Sequence, residues 1–324
     1  TGKWPDSIAA FEAYFAKRPA ALEPEDGRHE IELADSYLRY RQPKKALVLF
    51  ERAAQQRKND LRARIGEAWA TAAIDCKKAR GLLHDLEGLA EQHPEIWLVD
   101  GQCALALGDT GAALGLGRRY LERQAKGTAA GHALVGEAQA ARGNLGEALE
   151  ELRTARDLEP ARRRWTVRLA FVLRRAGKAA DAVAALDKLG PPSTAGIDPD
   201  WWLELAESLL AQGDAQAVVT RVAPVVPDLA NDAEIRTVLG AAQLQTNRAE
   251  AAVETLDEAE AIATSPRSKK LLAEALTTVA VARLSAPAAA AAEPLLARAE
   301  SLDPGDVLVL RAPGLALLAL PPPA

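Results

Sequence analysis

Apolar and polar positions follow the period of an α-helix through the segment between Gly143 and Pro160. Ala148, Leu152 and Ala155 are spaced four and three residues apart, so they fall on one side of a helix, while charged residues occupy the other side. The glycine favours a turn before this helix, and the proline favours its end. The pattern therefore predicts one amphipathic helix between these two residues.

A segment of the same kind returns at regular intervals along the chain. Gly108 precedes Gly143 by 35 residues, Gly177 follows it by 34, and Gly213 follows Gly177 by 36, and each begins a similar stretch. A period of about 34 residues accommodates two helices and two short turns. The sequence is therefore predicted to be all-α and built from repeated helix pairs.

A glycine or alanine occupies the same position in every predicted pair, which we call the repeat phase. Gly136 stands seven residues before Gly143, and the matching positions of the other pairs are Ala34, Gly66, Gly101, Ala170, Ala206, Gly240 and Ala280. Glycine inside a helix costs about 1 kcal/mol relative to alanine. Four glycines at one phase therefore predict close backbone contact within a pair, with Gly136 buried against the second helix near Ala148.

With these features the chain resembles the tetratricopeptide repeat (TPR) family, and residues 131–160, GHALVGEAQAARGNLGEALEELRTARDLEP, show the resemblance best. The resemblance implies a right-handed superhelical solenoid of antiparallel helix pairs. The predicted organisation is the second helix of a truncated leading repeat in 1–19, about eight TPR-like pairs forming one solenoid in 27–304, and a C-terminal capping or cut segment in 305–324. The sequence contains no methionine and opens on the unpaired helix, which favours a fragment of a longer chain.

Composition and charge narrow the class of function. The net charge is −5 and the pI about 5.6, which argues against nucleic-acid binding, and no apolar run reaches the roughly 20 residues of a membrane span. The four histidines lack metal-ligand spacing, and no catalytic motif occurs. Cys76 and Cys103 either form a disulfide or, as we favour, leave Cys103 as a small buried hydrophobe. We therefore predict no enzyme activity, no cofactor and no metal.

The resemblance also implies that the second, fifth, ninth, twelfth and thirteenth positions of each first helix line a concave groove. In the fifth full pair these positions include Arg164, Arg174 and Arg175, which we call the basic block, and the aromatic residue Phe171. The ninth positions of the neighbouring pairs are acidic. Trp201 is expected either at the rim of the groove or beneath the preceding loop. The predicted partner-binding residues are Arg164, Phe171, Arg174, Arg175, Glu137, Glu207 and Trp201.

Two interpretations of the basic block stay open at this point. One is a solvated helix end; the other is a contact site for an acidic segment of a partner. Arginines at 162–164 begin the helix and oppose its dipole, so helix stability does not explain them. The planar arginine side chain can bind a carboxylate through two hydrogen bonds, which suits the second interpretation.

These observations predict a non-catalytic scaffold or adaptor that binds a partner protein or peptide through its groove. The high usage of Ala, Arg, Gly and Leu favours a bacterial gene, and family analogy favours an envelope, pilus, motility or secretion assembly. The alternative is a regulatory or sensor arm of a larger enzyme or signalling protein. Glycan or peptide capture ranks last, because few aromatic residues map to the groove. The sequence leaves open the partner, the oligomeric state and the compartment, cytoplasmic or periplasmic.

Overall fold

The structure is a computed structural model of the 324-residue chain and describes residues 4–17, 28–39, 42–57, 60–124, 127–193, 198–229, 232–284 and 291–305. Within these ranges all regular structure is helical, which confirms the all-α prediction. Contacts divide the chain into two compact units, Thr1–Pro160 and Ala161–Ala324. The predicted repeat boundaries stay predictions, and residues 306–324 of the expected C-terminal segment lie outside the described residues.

The first unit alternates first and second helices of successive pairs. Its helices are α1 (Trp4–Lys17), α2 (Arg28–Arg39), α3 (Pro43–Gln56), α4 (Leu61–Ala72), α5 (Cys76–His84), α6 (Glu95–Ala106), α7 (Thr110–Arg123), α8 (Ala129–Ala141) and α9 (Leu145–Leu158). A short 3₁₀ helix, Glu87–Leu89, follows α5.

The second unit continues the same alternation. Its helices are α10 (Arg163–Arg175), α11 (Ala179–Leu189), α12 (Pro199–Gln212), α13 (Ala215–Val222), α14 (Ala233–Gln245), α15 (Ala249–Ile262), α16 (Pro266–Leu284) and α17 (Glu293–Leu302). A 3₁₀ helix, Ala223–Asp228, extends α13.

Local sequence signals fix the ends of many helices. The side chains of Asp60, Asp75, Asp109 and Thr128 accept a hydrogen bond from the backbone N–H three residues further on, at the starts of α4, α5, α7 and α8. The turn after α8 contains Gly143 with a φ of +86°, a left-handed conformation that glycine adopts without steric cost. Capping and turn residues therefore set where these helices begin and end.

The packing order of the helices repeats within each unit. A first helix contacts its own second helix, and that second helix contacts the first helix of the next pair. The first helices α2, α4, α6 and α8 also contact one another in sequence, and so do α10, α12, α14 and α16. In each unit the first helices therefore form one layer and the second helices another, as the helix-pair repeat predicts.

The glycines of the repeat phase lie at close contacts between neighbouring helices. A β-carbon built on Gly136 would lie 2.9 Å from Cγ of Leu152 and 3.2 Å from the carbonyl oxygen of Ala148. A β-carbon on Gly66 of α4 would collide with the ring of Phe50, which lies on α3, the second helix of the preceding pair. The prediction that Gly136 lies buried against the second helix near Ala148 is confirmed.

The second unit contains one irregular pair. Helix α13 ends early and continues as the 3₁₀ helix Ala223–Asp228, whose last carbonyl groups need donors from outside the segment. Arg236 of α14 is only 5% exposed and donates to the carbonyl oxygens of Val226, Leu229 and Asp232 at 3.4, 2.7 and 3.0 Å. A buried arginine therefore holds this irregular segment against α14, and sequence analysis gave no sign of it.

Candidate partner-binding surface

Helix α10 carries a line of exposed side chains along one face. Arg164, Arg168, Phe171 and Arg175 are separated by four, three and four residues, which places them on the same side of a helix. All four are exposed, and they extend over about 16 Å of helix. We call these four residues the α10 stripe.

Phe171 is the apolar centre of the α10 stripe. Its side chain is 37% exposed, and the guanidinium carbons of Arg174 and Arg175 lie 5.5 and 5.7 Å from its ring centroid. Arginine so close to an aromatic face is held by a cation–π attraction. The surface therefore offers a partner an aromatic ring with positive charge beside it.

Arg174, although predicted beside these residues, is bound within the second unit. Its Nε and an Nη donate to the two carboxylate oxygens of buried Glu204 at 2.8 and 3.0 Å, and Glu207 lies 3.9 Å away. These hydrogen bonds raise the pKa of Arg174. Glu207 also forms an ion pair with Arg267 of α16. Arg174 and Glu207, which were predicted to face a partner, therefore form ion pairs that connect α10, α12 and α16.

The two tryptophans of α12 resolve the alternatives that the sequence allowed. Trp201 is 1% exposed and packs edge-on against Trp202, with ring centroids 4.8 Å apart. The guanidinium of Arg163 lies 5.8 Å from the Trp201 ring and donates to the carbonyl oxygen of Gly190 at 2.8 Å. Trp201 is therefore a core residue, so its predicted contact with a partner is wrong for this structure.

Glu137 belongs to a different part of the chain from the other predicted residues. It lies on α8 of the first unit and is half-buried. In the same unit, the structure shows an aromatic residue that the groove mapping missed. Trp69 of α4 is 41% exposed beside a cavity of about 390 Å³. Its position is two residues after the mapped ninth position, Glu67, so only its aromatic character could have drawn attention to it.

Among the described residues, no group of three or more His, Cys, Asp or Glu side chains could hold a metal ion. Both cysteines are free, and burial raises the pKa of the Cys103 thiol, which keeps that thiol protonated. No helix in the described part of the chain is long and apolar enough to cross a membrane.

The different environments of Arg174 and Arg175 predict different mutational effects. We expect Arg174→Gln to lower the free energy of unfolding by about 1–2 kcal/mol, because it leaves a buried carboxylate without its charged donor. Arg175→Gln should change stability by no more than about 0.5 kcal/mol, as exposed substitutions usually do. Urea denaturation of both variants measures the difference. Equal midpoints would mean that the Arg174–Glu204 pair contributes nothing.

Comparison with known proteins agrees with this description. Residues 75–128 match the tetratricopeptide repeat family. No curated protein matches the sequence. Among solved structures, a chain of the APC/C hetero-tetramer Cut9–Hcn1 is similar over 99% of this chain, with 16% identity and a TM-score of 0.62. The match takes in 60% of that chain, so the present chain spans less than two thirds of it.

Two other solved structures share the fold. The type IV pilus biogenesis factor PilW matches 67% of this chain and 100% of its own, with 20% identity and a TM-score of 0.56. The C-terminal part of a TPR repeat-containing protein from Cytophaga hutchinsonii matches 87% of this chain and 98% of its own, with 14% identity and a TM-score of 0.54. The sequence match shows tetratricopeptide repeat sequence in residues 75–128, and the shared folds show that the described helix pairs have a TPR-like fold.

Proposed function

We propose that the chain is a non-catalytic adaptor that binds an acidic segment of a partner protein through the α10 stripe. The observation that carries the proposal is Phe171, an exposed aromatic ring bordered by arginines on a helix of the first-helix layer. Aromatic and arginine side chains contribute much of the binding energy of protein interfaces.

The chemistry of the α10 stripe selects the partner. Arg164, Arg168 and Arg175 can each bind a carboxylate through two hydrogen bonds. Phe171 between them offers a contact for one apolar side chain. A segment of Asp and Glu residues around a Leu, Phe or Ile would match the stripe in both charge and polarity. Its association would be steered by charge and would weaken as salt rises.

Ion pairs between first helices support this surface. Arg174 is tied to buried Glu204 of α12, and the more exposed Arg267 of α16 is tied to Glu207 of α12. The Arg174–Glu204 contact fixes α10 against α12, so the stripe is held on a rigid element. We therefore assign Arg174 and Glu207 a positioning role in place of the direct contact predicted from the sequence.

The wider setting of the adaptor is also a proposal. PilW is described as a pilus biogenesis factor, and its likeness in fold is in keeping with a bacterial envelope, pilus, motility or secretion assembly. The alternative is that the chain forms the regulatory arm of a larger enzyme or signalling protein. The full-length gene distinguishes them, because a catalytic domain beyond either end would support the alternative.

Charge reversal of the α10 stripe tests the proposed surface. The change is Arg164→Glu with Arg175→Glu, which leaves the Arg174–Glu204 pair intact. We expect co-precipitation from the source organism to lose the partner, and the unmodified protein to recover less of it as salt rises. Lys178→Glu with Lys188→Glu is the matched control, since Lys178 just before α11 and Lys188 within it are both exposed, and the change in net charge is the same.

The two double variants give a clear decision. If the control retains the partner and the α10 variant does not, the stripe is the binding surface. If both variants recover the same partners in equal amounts, the arginines are only a solvated helix face and the binding surface lies elsewhere.

A further inference from the structure

The two cysteines of the chain lie on neighbouring helices of the first unit. Cys76 is the first residue of α5, and Cys103 lies on α6, which contacts α5. Both thiols are free in this structure; Cys103 is 1% exposed and Cys76 is half-buried. A covalent bond between them would therefore join the second helix of one pair to the first helix of the next.

Two contacts set the register of α5 against α6. Near the end of α5, Leu83 shares a buried core cluster with Ile96, which lies at the start of α6. One turn earlier on α5, Nε of Arg80 lies 2.7 Å from a carboxylate oxygen of Asp100, which is one turn later on α6. Residue numbers fall along one helix as they rise along the other, so the two helices run antiparallel.

The same register brings the cysteines together one turn further along. Cys76 precedes Arg80 by four residues and Cys103 follows Asp100 by three, so each cysteine shares the helix face that carries the ion pair. Burial raises the pKa of the Cys103 thiol, and a hydrogen bond with the Cys76 side chain raises it further. The helix register and this hydrogen bond both place the two thiols side by side.

The two thiols differ in their access to a reagent. The Cys76 thiol donates to the carbonyl oxygen of Ala72 at 3.4 Å, and a thiol is a weak donor, so little free energy is lost when this contact breaks. Cys76 is also partly exposed at the start of its helix, whereas Cys103 is enclosed by the core. A small reagent therefore reaches Cys76 first, and Cys103 can react with the product from within the fold.

We propose that Cys76 and Cys103 are a redox-active pair, which a small-molecule disulfide such as oxidised glutathione converts into a disulfide that fastens α5 to α6. Helix α5 has 9 residues where α3 and α7 have 14, so a covalent link would hold the shorter helix in place. Disulfides persist in oxidising compartments, and the thiols would stay free in a reducing one. This site does not depend on the α10 stripe.

The reaction consists of two thiol–disulfide exchanges. The Cys76 thiolate attacks one sulfur of oxidised glutathione, the glutathione S–S bond breaks, and one glutathione leaves with the electron pair and takes up the proton that Cys76 released. Cys103 then loses its proton and attacks the Cys76 sulfur, and the second glutathione leaves in the same way with the second proton. Two protein thiols are thus oxidised and one glutathione disulfide is reduced to two thiols. Proximity favours the second step, because it takes place within one molecule.

Mass spectrometry of the intact full chain tests the proposal. The reduced protein is incubated at increasing ratios of oxidised to reduced glutathione, and the remaining thiols are blocked with N-ethylmaleimide before the mass is measured. Cys103→Ala removes the buried thiol, and Cys76→Ser removes the accessible one. Neither variant adds bulk to the contact between α5 and α6.

We expect the unmodified protein to lose the mass of two hydrogen atoms and to bind no N-ethylmaleimide, while it remains a single chain. Cys103→Ala should stop at one glutathione adduct, and Cys76→Ser should react at least about tenfold more slowly, because its remaining thiol is buried. The thermal midpoint of the unmodified protein should rise by at least about 3 °C on oxidation. The midpoint of Cys76→Ser should be the same in both buffers.

Three outcomes of the mass measurement would overturn the proposal. The unmodified protein could stop at a glutathione adduct, form a disulfide only between two copies of the chain, or keep both thiols at every glutathione ratio. A disulfide that lowers the thermal midpoint would overturn it as well, because the bond would then form only by distorting the contact between α5 and α6.

Discussion

Replacing Gly136 with leucine should destabilise the protein by about 3 kcal/mol, near the upper end of the usual cost of overpacking a core. A β-carbon at this position would lie 3.2 Å from the carbonyl oxygen of Ala148, so α8 and α9 would have to move apart. The remaining leucine atoms would compete with Leu152, which is fully buried. Thermal or urea denaturation monitored by circular dichroism measures the effect.

Glu150→Leu is the matched control for this prediction. Glu150 lies on α9 and is exposed, so the same new side chain should change stability by no more than about 0.5 kcal/mol. Equal midpoints for the two variants would show that the close contact between α8 and α9 is absent.

Replacing Arg236 with methionine should cost about 3 kcal/mol or more, because it leaves several buried carbonyl groups without a charged donor. Methionine keeps the length and the apolar stem of the side chain but has no N–H groups. The carbonyl oxygens of Val226, Leu229 and Asp232 would lose their hydrogen bonds together. We expect a lower urea midpoint and faster hydrogen exchange at the amides of Leu229 and Asp232.

Two further variants separate the sources of this effect. Glu258→Gln removes the carboxylate that Arg236 contacts at 3.1 Å, but Glu258 is largely exposed, so the cost should stay below about 1 kcal/mol. Arg283→Met changes a partly exposed arginine of α16, whose ion pair with exposed Glu250 is long, and should also cost less than about 1 kcal/mol. An Arg236→Met variant as stable as Arg283→Met would contradict the role assigned to the buried arginine.

The repeat could be predicted from the sequence because its signals are local and recur. Gly143 marks a turn, Gly136 marks a close contact, and Ala148 follows at a fixed distance. Once this pattern is identified in one pair, it can be found in the others. Helix identity and packing within a pair depend on spacing along the chain, and spacing is visible in the sequence. The fold class could therefore be predicted from the periodicity of the sequence.

The pairing of charges could not be predicted in the same way. Arg174 and Glu204 are 30 residues apart on different helices, and groove positions assigned by resemblance gave both Arg174 and Glu207 to a partner. The structure shows that they bind within the unit. Sequence spacing shows which face of a helix a residue occupies but not which side chain of the next helix lies opposite it.

The burial of aromatic side chains was also predicted less reliably than the helices on which they lie. Trp201 is buried and Trp69 is exposed, although the sequence left Trp201 open between the groove rim and a covered position, and the mapped groove positions omitted Trp69. The difference in burial between these two tryptophans comes from how neighbouring helices pack against them, and the repeat period does not describe that packing.

Site-specific photo-crosslinking at Phe171 tests the proposed binding surface most directly. Phe171 is replaced with p-benzoylphenylalanine, an aromatic residue that reacts with whatever lies against it, and the full chain is irradiated in the source organism. Ile262 on α15 is the control position, since it has the same 37% exposure. We predict a covalent adduct with one partner at position 171 but not at 262, and its loss when Arg164 and Arg175 are changed to Glu. No adduct at 171, or an adduct that persists in the charge-reversed protein, would contradict the proposal that α10 binds a partner.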